Sequence, residues 1–190
     1  HFTNAIDGTY SAGKIYVPSY RARGYLKSVG VTPNKTMYMQ NIIAEDNSAQ
    51  IKRILSAQQF ALSYGADDFK IAETIFIPRK IGNNAKHIFR PQAIVNTTDR
   101  TLFVESVRDD IGELDRVMDK LHRISDVCKN KSKSKANIEI KSPVVVLVCE
   151  DSFHMSSIVK ALATLKIANL TLKVTNDLDI YSGNTKLKDI

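Results

Sequence analysis

The sequence predicts an α/β or α+β domain in which one mixed β-sheet is flanked by helices. The apolar residues of Ala49–Tyr64 and of Ile111–Val127 recur with the period of an α-helix. Pro143–Cys149 is continuously apolar, as in a strand that is buried on both faces of a sheet. Between and after these segments lie shorter strand-like runs. The order of elements from residue 49 is therefore helix, three strands, helix, buried strand, helix and two strands.

Composition limits the chain to one medium-sized domain, or to one domain with a fragment of a second. It has 190 residues, of which 43% are hydrophobic and 25% charged, enough for a sizeable core. No apolar run is long enough to span a bilayer, and no signal-peptide pattern is present. Cys128 and Cys149 have no metal-ligand spacing around them, which predicts buried reduced thiols in a cytoplasmic protein. The chain begins at His1, so we expect it to be the C-terminal part of a longer protein.

The first forty residues predict a small β-unit followed by a helix. Lys14–Val17 has the β-branched and aromatic content of a strand, and Gly30 ends a short helix at Tyr20–Val29. The hairpin and helix are similar to the wing and following helix of a winged helix-turn-helix, in which the wing contacts phosphates. The same residues are equally consistent with a plain hairpin and a solvated basic helix. The winged-helix interpretation predicts a DNA-binding set: Lys14, Arg21, Arg23 and Lys27.

From Ala49 the elements alternate in the order given above. After the first helix, Lys70–Ile77 reads as a strand that Pro78 ends, and a basic Gly-Asn-Asn loop follows at 79–86. Residues 128–142 are rich in Lys, Ser and Asn and predict a loop. The last three predicted elements are a helix capped by Asp151 or Ser152 and two strands: Phe153–Leu165, Thr171–Thr175 and Leu178–Tyr181.

His87–Arg108 holds the candidate site. It reads as two strands, Gln92–Asn96 and Leu102–Val107, joined by a polar turn at Thr97–Arg100. The second strand carries one acid, Glu105, among apolar residues, and a buried carboxylate is costly unless it is paired. The simpler interpretation is a Glu at the solvent edge of the strand, or one that pairs with Arg90 or Arg108.

Charge is distributed unevenly along the chain. The total is +7, with +4 in each of residues 1–40, 70–91 and 129–141 and −3 in residues 92–128. Basic surface beside a locally acidic segment is typical of proteins that handle nucleic acids, because phosphates need cations and metals need carboxylates. The distribution raises the expectation of a DNA partner without establishing one.

The order αβββαβ, with Pro91-Gln92 at the start of the second strand and Glu105-Ser106-Val107 at the end of the third, resembles the PD-(D/E)xK nuclease superfamily. Together with the wing-like start, residues 1–182 resemble the replication-relaxation family of plasmid and conjugative-element proteins. The resemblance rests on short segments that are spread along the chain: GKIYVPSYRARGYLKSVG, the helix 49–64, RPQAIV, LFVES and PVVVLVCED. It implies the C-terminal part of a winged-helix-like unit at 1–40 and a nuclease-like α/β domain at 41–190.

The departures from this pattern concern the chemistry. Gln92 stands where the superfamily has Asp, and Val107 stands where it has Lys. Mg²⁺ is held by carboxylates, and the attacking water needs a Lys or a similar group nearby. Glu73 can supply a second carboxylate only if it faces Glu105, and its simpler interpretation is an edge-strand Glu paired with a Lys. Strand alternation puts Arg108 on the opposite face from Glu105.

Three functions remain open at this stage. The first is a DNA-binding protein that acts in plasmid or conjugative transfer or in replication control, with an inactive nuclease-like domain and no cofactor. The second is a Mg²⁺-dependent endonuclease or relaxase with catalytic Glu105 and Gln92 and metal ligands Glu105 and Glu73. The third is an interaction module that binds another protein of the transfer machinery. Other chemistry is not indicated, since His122 has no metal partner at helical spacing, and Ser152 and His154 are too close in sequence to indicate a catalytic triad.

Overall fold

The structure of the protein is a computed structural model. The residues that it describes are 48–64, 69–71, 75–77, 86–108, 112–130, 138–163, 167 and 170–190. The chain divides into two units, His1–Ile51 and Lys52–Ile190. Apart from 48–51, the described residues all belong to the second unit. The predicted winged-helix-like unit at 1–40, with its DNA-binding set, lies outside the described residues.

Four helices and eight strands follow one another in the described part of the chain. Their order and bounds are α1 Ser48–Ser63, β1 Phe69–Ile71, β2 Ile75–Ile77, β3 Lys86–Phe89, β4 Ala93–Asn96, β5 Thr101–Ser106, α2 Glu113–Asn130, β6 Val144–Cys149, α3 Ser152–Leu162, β7 Thr171–Asn176, α4 Asp177–Tyr181 and β8 Lys188–Asp189.

Six of the strands form one mixed sheet in the order β1-β4-β5-β6-β7-β8. Strand β4 is antiparallel to both of its neighbours, β1 and β5; strands β5, β6 and β7 are parallel, and β8 is antiparallel to β7. Parallel neighbours need a crossover connection, and α2 and α3 supply the two that are needed here. The predicted class, a mixed sheet with flanking helices, is confirmed.

The single strand predicted at Lys70–Ile77 is wrong. Its first part, Phe69–Ile71, pairs with β4 in the large sheet, whereas Ile75–Ile77 pairs with Lys86–Phe89 in a separate two-stranded sheet. The reason is competition for backbone partners, because β3 offers a second ladder to the residues after position 74. The sequence did not predict β3, whose residues fell partly in a basic loop.

Helices cover both faces of the large sheet. The α2 and α3 layer packs through Val117, Leu121 and Ile158 on the sheet residues Phe103 and Leu147. On the other face α1 and α4 pack on the alternate residues of the same strands; their shared cluster includes Ala57, Phe60, Val104, Val146 and Ile180. Every residue of β5 and of β6 is buried, which confirms the prediction of a two-sided buried strand at 143–149.

The segment after β7 is a helix, so the predicted strand at Leu178–Tyr181 is wrong. The Asn176 side chain accepts a hydrogen bond from the Asp179 backbone N–H at 2.9 Å and caps α4 at its first turn. Asn at an N-cap competes with strand propensity because it satisfies a backbone donor that a strand would leave free. The helices predicted at 49–64, 111–127 and 153–165 are confirmed as α1, α2 and α3 within the described residues, which exclude 111, 164 and 165; α2 continues to Asn130 into the predicted loop.

Candidate functional site

The polar turn between β4 and β5 sets the register of the candidate site. The Thr97 N–H donates to the Arg100 carbonyl at 2.9 Å, and the Arg100 N–H donates to Thr97 Oγ1 at 3.0 Å. These bonds close the predicted turn and pair Ala93 with Val104. Gln92 immediately precedes β4, and it bonds to the β5 backbone at Val104 and Ser106, the residues on either side of Glu105. The two residues named as catalytic in the nuclease interpretation therefore lie near each other at one end of the β4–β5 pair.

Glu105 is buried against helix α2. Its side chain is 1% exposed, and Lys120 Nζ donates to its Oε2 at 2.6 Å. The Arg116 guanidinium lies 3.6 Å from the same oxygen. Residues 116 and 120 are one helical turn apart, so both reach the sheet from the same side of α2.

These contacts correct the predicted environment of Glu105. A place at the solvent edge and pairing with Arg90 or Arg108 are both wrong, because its cations come from the following helix. Phe103, Glu105 and Val107 alternate onto the face that α2 covers, and the residues next to Val117 and Leu121 on that helix are Arg116 and Lys120. The i, i+4 spacing of the two cations beside the apolar stripe is the sequence signal that could have identified them.

Burial raises the pKa of the Glu105 carboxyl above its usual 4.5, and the nearby Lys120 and Arg116 oppose that rise without cancelling it. Its Oε1 is buried and has no hydrogen-bond partner. An acceptor without a partner in a dry site favours the protonated form of the carboxyl. Glu105 thus combines a tightly held oxygen with an unsatisfied one.

Gln92 bonds to the backbone of β5, and its side-chain oxygen is not open to a ligand. Its backbone N–H donates to the Val104 carbonyl at 3.2 Å, and its side-chain oxygen accepts from the Ser106 N–H. The amide oxygen that could replace a carboxylate is therefore already bonded to the backbone of β5. The Ser106 carbonyl in turn accepts from Arg116 at 3.1 Å.

Glu113, in the first turn of α2, is the centre of a second ion cluster. Arg53 donates to both of its oxygens at 3.0 and 3.3 Å, Arg116 donates to both at 2.6 and 2.7 Å, and the Arg108 N–H donates at 3.2 Å. Burial raises the pKa of Glu113, but these charged donors outweigh it and hold the pKa below 4.5. Arg116 thus joins the Glu113 cluster to Glu105, and Arg53 ties α1 to α2.

Arg108 lies on the opposite face from Glu105, as strand alternation predicted. Its Nη1 donates to Asp177 of α4 and lies 3.9 Å from Glu150. Its Nη2 donates to the Lys52 carbonyl of α1 at 3.3 Å. Ser56 Oγ donates to the second oxygen of Asp177. This cluster joins β5, α1 and α4 and has a structural role.

The remaining predicted residues occupy varied positions. Val107 is buried in the apolar core, and its N–H donates to the Val148 carbonyl at 2.8 Å, so it extends the pairing of β5 with β6. Glu73 lies outside the described residues. His122 is exposed on α2. Asp151 accepts from the His154 N–H at 2.8 Å and caps α3, which confirms the predicted cap.

The described residues of the predicted set do not form a Mg²⁺ site. Lysine holds one oxygen of Glu105, and a backbone N–H holds the Gln92 oxygen, which leaves Glu105 Oε1 as the one anionic acceptor among the described members of that set. A Mg²⁺ site normally uses one or two carboxylates with waters and phosphate, in a place that solvent can reach. Within the described residues, no group of three or more His, Cys, Asp or Glu side chains is arranged to hold a metal.

Two further findings concern membrane-spanning helices and similarity to known proteins. No helix in the described part is both long and apolar enough to cross a membrane. Comparison of the chain with protein-family models, with curated proteins and with solved structures finds no match in any of the three.

Proposed function

We propose that this chain is part of a DNA-binding protein of a plasmid or conjugative element, acting in DNA transfer or replication control. In this proposal its α/β unit is a PD-(D/E)xK-like scaffold that does not cleave DNA. The family assignment rests on the sequence resemblance. When the separate β2–β3 sheet is left out, the element order α1, β1, β4, β5, α2, β6, with three antiparallel strands followed by a parallel crossover, is consistent with that superfamily's core.

One observation carries the non-cleaving part of the proposal: Lys120 Nζ lies 2.6 Å from Oε2 of a Glu105 that is 1% exposed. A protein cation is bound where a nuclease would hold its metal, and the carboxylate is closed to solvent. Cleavage needs an accessible anionic site for Mg²⁺ and a positioned water, and a sealed ion pair offers neither.

The DNA-binding part of the proposal rests on the distribution of positive charge along the sequence. Three segments of the sequence each carry +4, and one of them contains the predicted set Lys14, Arg21, Arg23 and Lys27. Phosphate contacts by Lys and Arg release counterions, so they produce binding that weakens steeply with salt. The test is DNA binding by the chain at several salt concentrations. Replacement of Arg21, Arg23 and Lys27 together by Gln should weaken binding for all sequences and lower the salt slope by about three units.

An active nuclease is the second candidate, and one observation favours it. Lys120 restores a lysine beside Glu105 that the sequence lacks at Val107, and Glu105 Oε1 has no partner. Nicking of supercoiled plasmid with Mg²⁺ or Mn²⁺ separates the candidates. We expect no nicking by the wild type. Nicking that disappears in Glu105→Gln and in Lys120→Met, with folding retained by circular dichroism, would establish the nuclease.

The third candidate, an interaction module without DNA, predicts a different outcome in the binding experiment. Such a module would show no DNA binding at low salt, or a salt slope that the triple replacement leaves unchanged. A variant with Gln92→Asp adds information on ancestry, because weak nicking in that variant alone would indicate a decayed site on an intact scaffold.

A further inference from the structure

The amino-terminal edge of the parallel strands β6 and β7 carries a cleft of about 590 Å³. This volume is within the range of small-molecule and cofactor sites. The edge lies opposite Glu105 and Arg108, which are at the carboxyl end of β5, so the cleft is separate from the site described above. Its lining combines a polar rim with an apolar floor: Asp99, Arg100, Ser142, Pro143, Val144, Leu170, Thr171 and Lys173.

Two cations face this cleft, and each is held by an exposed carboxylate. Arg100 Nε lies 3.2 Å from Asp99, with side-chain exposures of 52% and 68%. Lys173 Nζ lies 2.7 Å from Asp189, with side-chain exposures of 19% and 78%. Each carboxylate is on the surface, and ion pairs with such a partner contribute little to stability, so a phosphate can replace the carboxylate at little cost.

Asp99 has a second hydrogen-bond partner, so Arg100 can leave it for another anion. A hydrogen bond from Thr97 is the main cause that lowers the pKa of Asp99, and Thr97 Oγ1 lies 3.0 Å from Asp99 Oδ1. Asp99 therefore keeps a neutral partner when Arg100 turns to another anion. Arg presents a planar fork of donors that suits phosphate oxygens.

Neutral donors complete the rim. Ser142 and Thr171 are exposed and place two hydroxyl groups at the mouth of the cleft, each able to donate to a phosphate oxygen. Ser142 has a φ of +27°, a conformation that L-residues rarely adopt, at the point where the chain enters β6. Thr171 is the first residue of β7, and Ser142 lies two residues before β6, so both are next to paired strands of the sheet.

Additional positive charge adjoins the cleft. Lys141 is exposed, and its carbonyl accepts from the Thr101 N–H at 2.7 Å, which holds it beside Arg100. It ends the segment 129–141, whose net charge is +4 in the sequence. An extended polyanion is attracted to such an edge more strongly than a single small anion, because several cations act on the polyanion at once.

We propose that this cleft binds the phosphate backbone of DNA through Arg100 and Lys173, as a second contact in addition to the basic N-terminal segment. The proposal rests on the proposed DNA-binding function. It adds a contact within the α/β unit that the resemblance did not indicate. Binding here reads no bases, since phosphate contacts position a protein on DNA without specifying sequence.

The test compares three proteins as full chains in fluorescence-anisotropy titrations with one labelled DNA duplex. They are the wild type, Arg100→Gln/Lys173→Gln, and a matched control, Arg123→Gln/Lys160→Gln, which removes two exposed cations from α2 and α3. For the cleft variant we expect affinity to fall roughly 3- to 10-fold at moderate salt and the salt slope to fall by about 2 units. If the DNA contact is confined to the cleft, the control variant should change the salt slope of binding by less than about half a unit.

Each outcome decides between the two proposals. A cleft variant that behaves like the control, while the wild type binds DNA and Arg21→Gln/Arg23→Gln/Lys27→Gln binds weakly, overturns the cleft and leaves the proposed function standing. A wild type that binds no DNA at low salt overturns both. Thermal unfolding of the variants must match the wild type within a few degrees, and the replaced side chains are on the surface, so we expect it to do so.

Discussion

Lys120 of helix α2 donates a 2.6 Å hydrogen bond to Glu105 of strand β5, and it does so in a place where the carboxylate is 1% exposed. Burial of an acid and a base together is costly unless the pair and its further hydrogen bonds compensate for the lost hydration. Arg116 supplies part of that compensation from one turn earlier on the same helix. The pair fixes α2 over the sheet, and it removes the candidate carboxylate from solvent.

Removal of the lysine alone should be destabilising. Lys120→Met leaves Glu105 buried with only the more distant Arg116 at 3.6 Å, and we expect the free energy of unfolding to fall by about 2–4 kcal/mol. Urea denaturation followed by circular dichroism measures the change. Adding Glu105→Gln should recover part of the loss, because the second change removes the unpaired charge.

The size of the recovery is the informative quantity. A double-mutant cycle should give a coupling energy of about 1–3 kcal/mol between the two positions. Additive effects, with no coupling, would contradict a direct ion pair and would reopen the possibility that Glu105 is available to a metal.

Glu113 should make the free energy of unfolding depend on pH in the acid range. Its pKa lies below 4.5 in the folded protein, because the charged donors of Arg116 and Arg53 outweigh burial. The unfolded chain therefore binds more protons than the folded chain in this range. The contribution of Glu113 is fully present above the ordinary Glu pKa and is lost as pH falls through the lower folded value.

The comparison is between the wild type and Glu113→Gln, by urea denaturation from pH 7 down to pH 3. At pH 7 the variant should be less stable by about 2–3 kcal/mol, since it leaves two guanidinium groups partly uncompensated. The difference should narrow as pH falls below about 4.5, the ordinary value for Glu. A difference that stays constant down to pH 3 would show that Glu113 is not held in its charged form by Arg53 and Arg116.

The sequence predicted most elements whose signal is local, and most of its failures are at places where distant residues decide. The uninterrupted apolar run at Val144–Cys149 and the turn at Thr97–Arg100 are specified by neighbours in the chain, and both are as predicted. The partners of Glu105 lie 11 and 15 positions later, on a helix whose rotation about its axis is set by packing. Strand alternation alone could place Arg108 on the far face, but it could not identify Asp177 as its partner.

Two errors in the predicted elements have different causes, one tertiary and one local. The β-rich run at 70–77 is divided between two sheets because β3 competes for its second half, and a ladder partner is a tertiary property. The apolar residues at 178–181 form a helix because one side chain, Asn176, caps its first turn. Propensity gives way to such contacts in short segments.

The two cysteines should be unreactive in the native protein. Cys128 and Cys149 are buried and form no disulfide, and burial raises the pKa of Cys149 to about 12. At pH 8 its thiolate fraction is then on the order of one in ten thousand. Ellman's reagent should find no fast-reacting thiol in the native chain and two in 6 M guanidinium. Fast reaction of one thiol in native Cys128→Ser would show that β6 is open to solvent.

Asp177→Asn should destabilise the protein although Asp177 is on a five-residue helix. The carboxylate binds Arg108, whose side chain is 5% exposed, and it accepts a hydrogen bond from Ser56 Oγ of α1. Loss of the charge leaves a buried guanidinium with Glu150 at 3.9 Å as its nearest remaining acid. We expect the free energy of unfolding to fall by about 3 kcal/mol in urea denaturation.

Asp119→Asn is the matched control, since Asp119 pairs at 2.8 Å with Arg123 on the exposed surface of α2 and should contribute less than about 1 kcal/mol. Combining Asp177→Asn with Arg108→Met should cost less than the sum of the two single changes, because the unpaired buried charge is then gone. Equal effects of Asp177→Asn and Asp119→Asn would contradict the buried pair. That result would mean that α4 is not held to β5 by Arg108, and that the sheet face under α1 and α4 is more open than the structure shows.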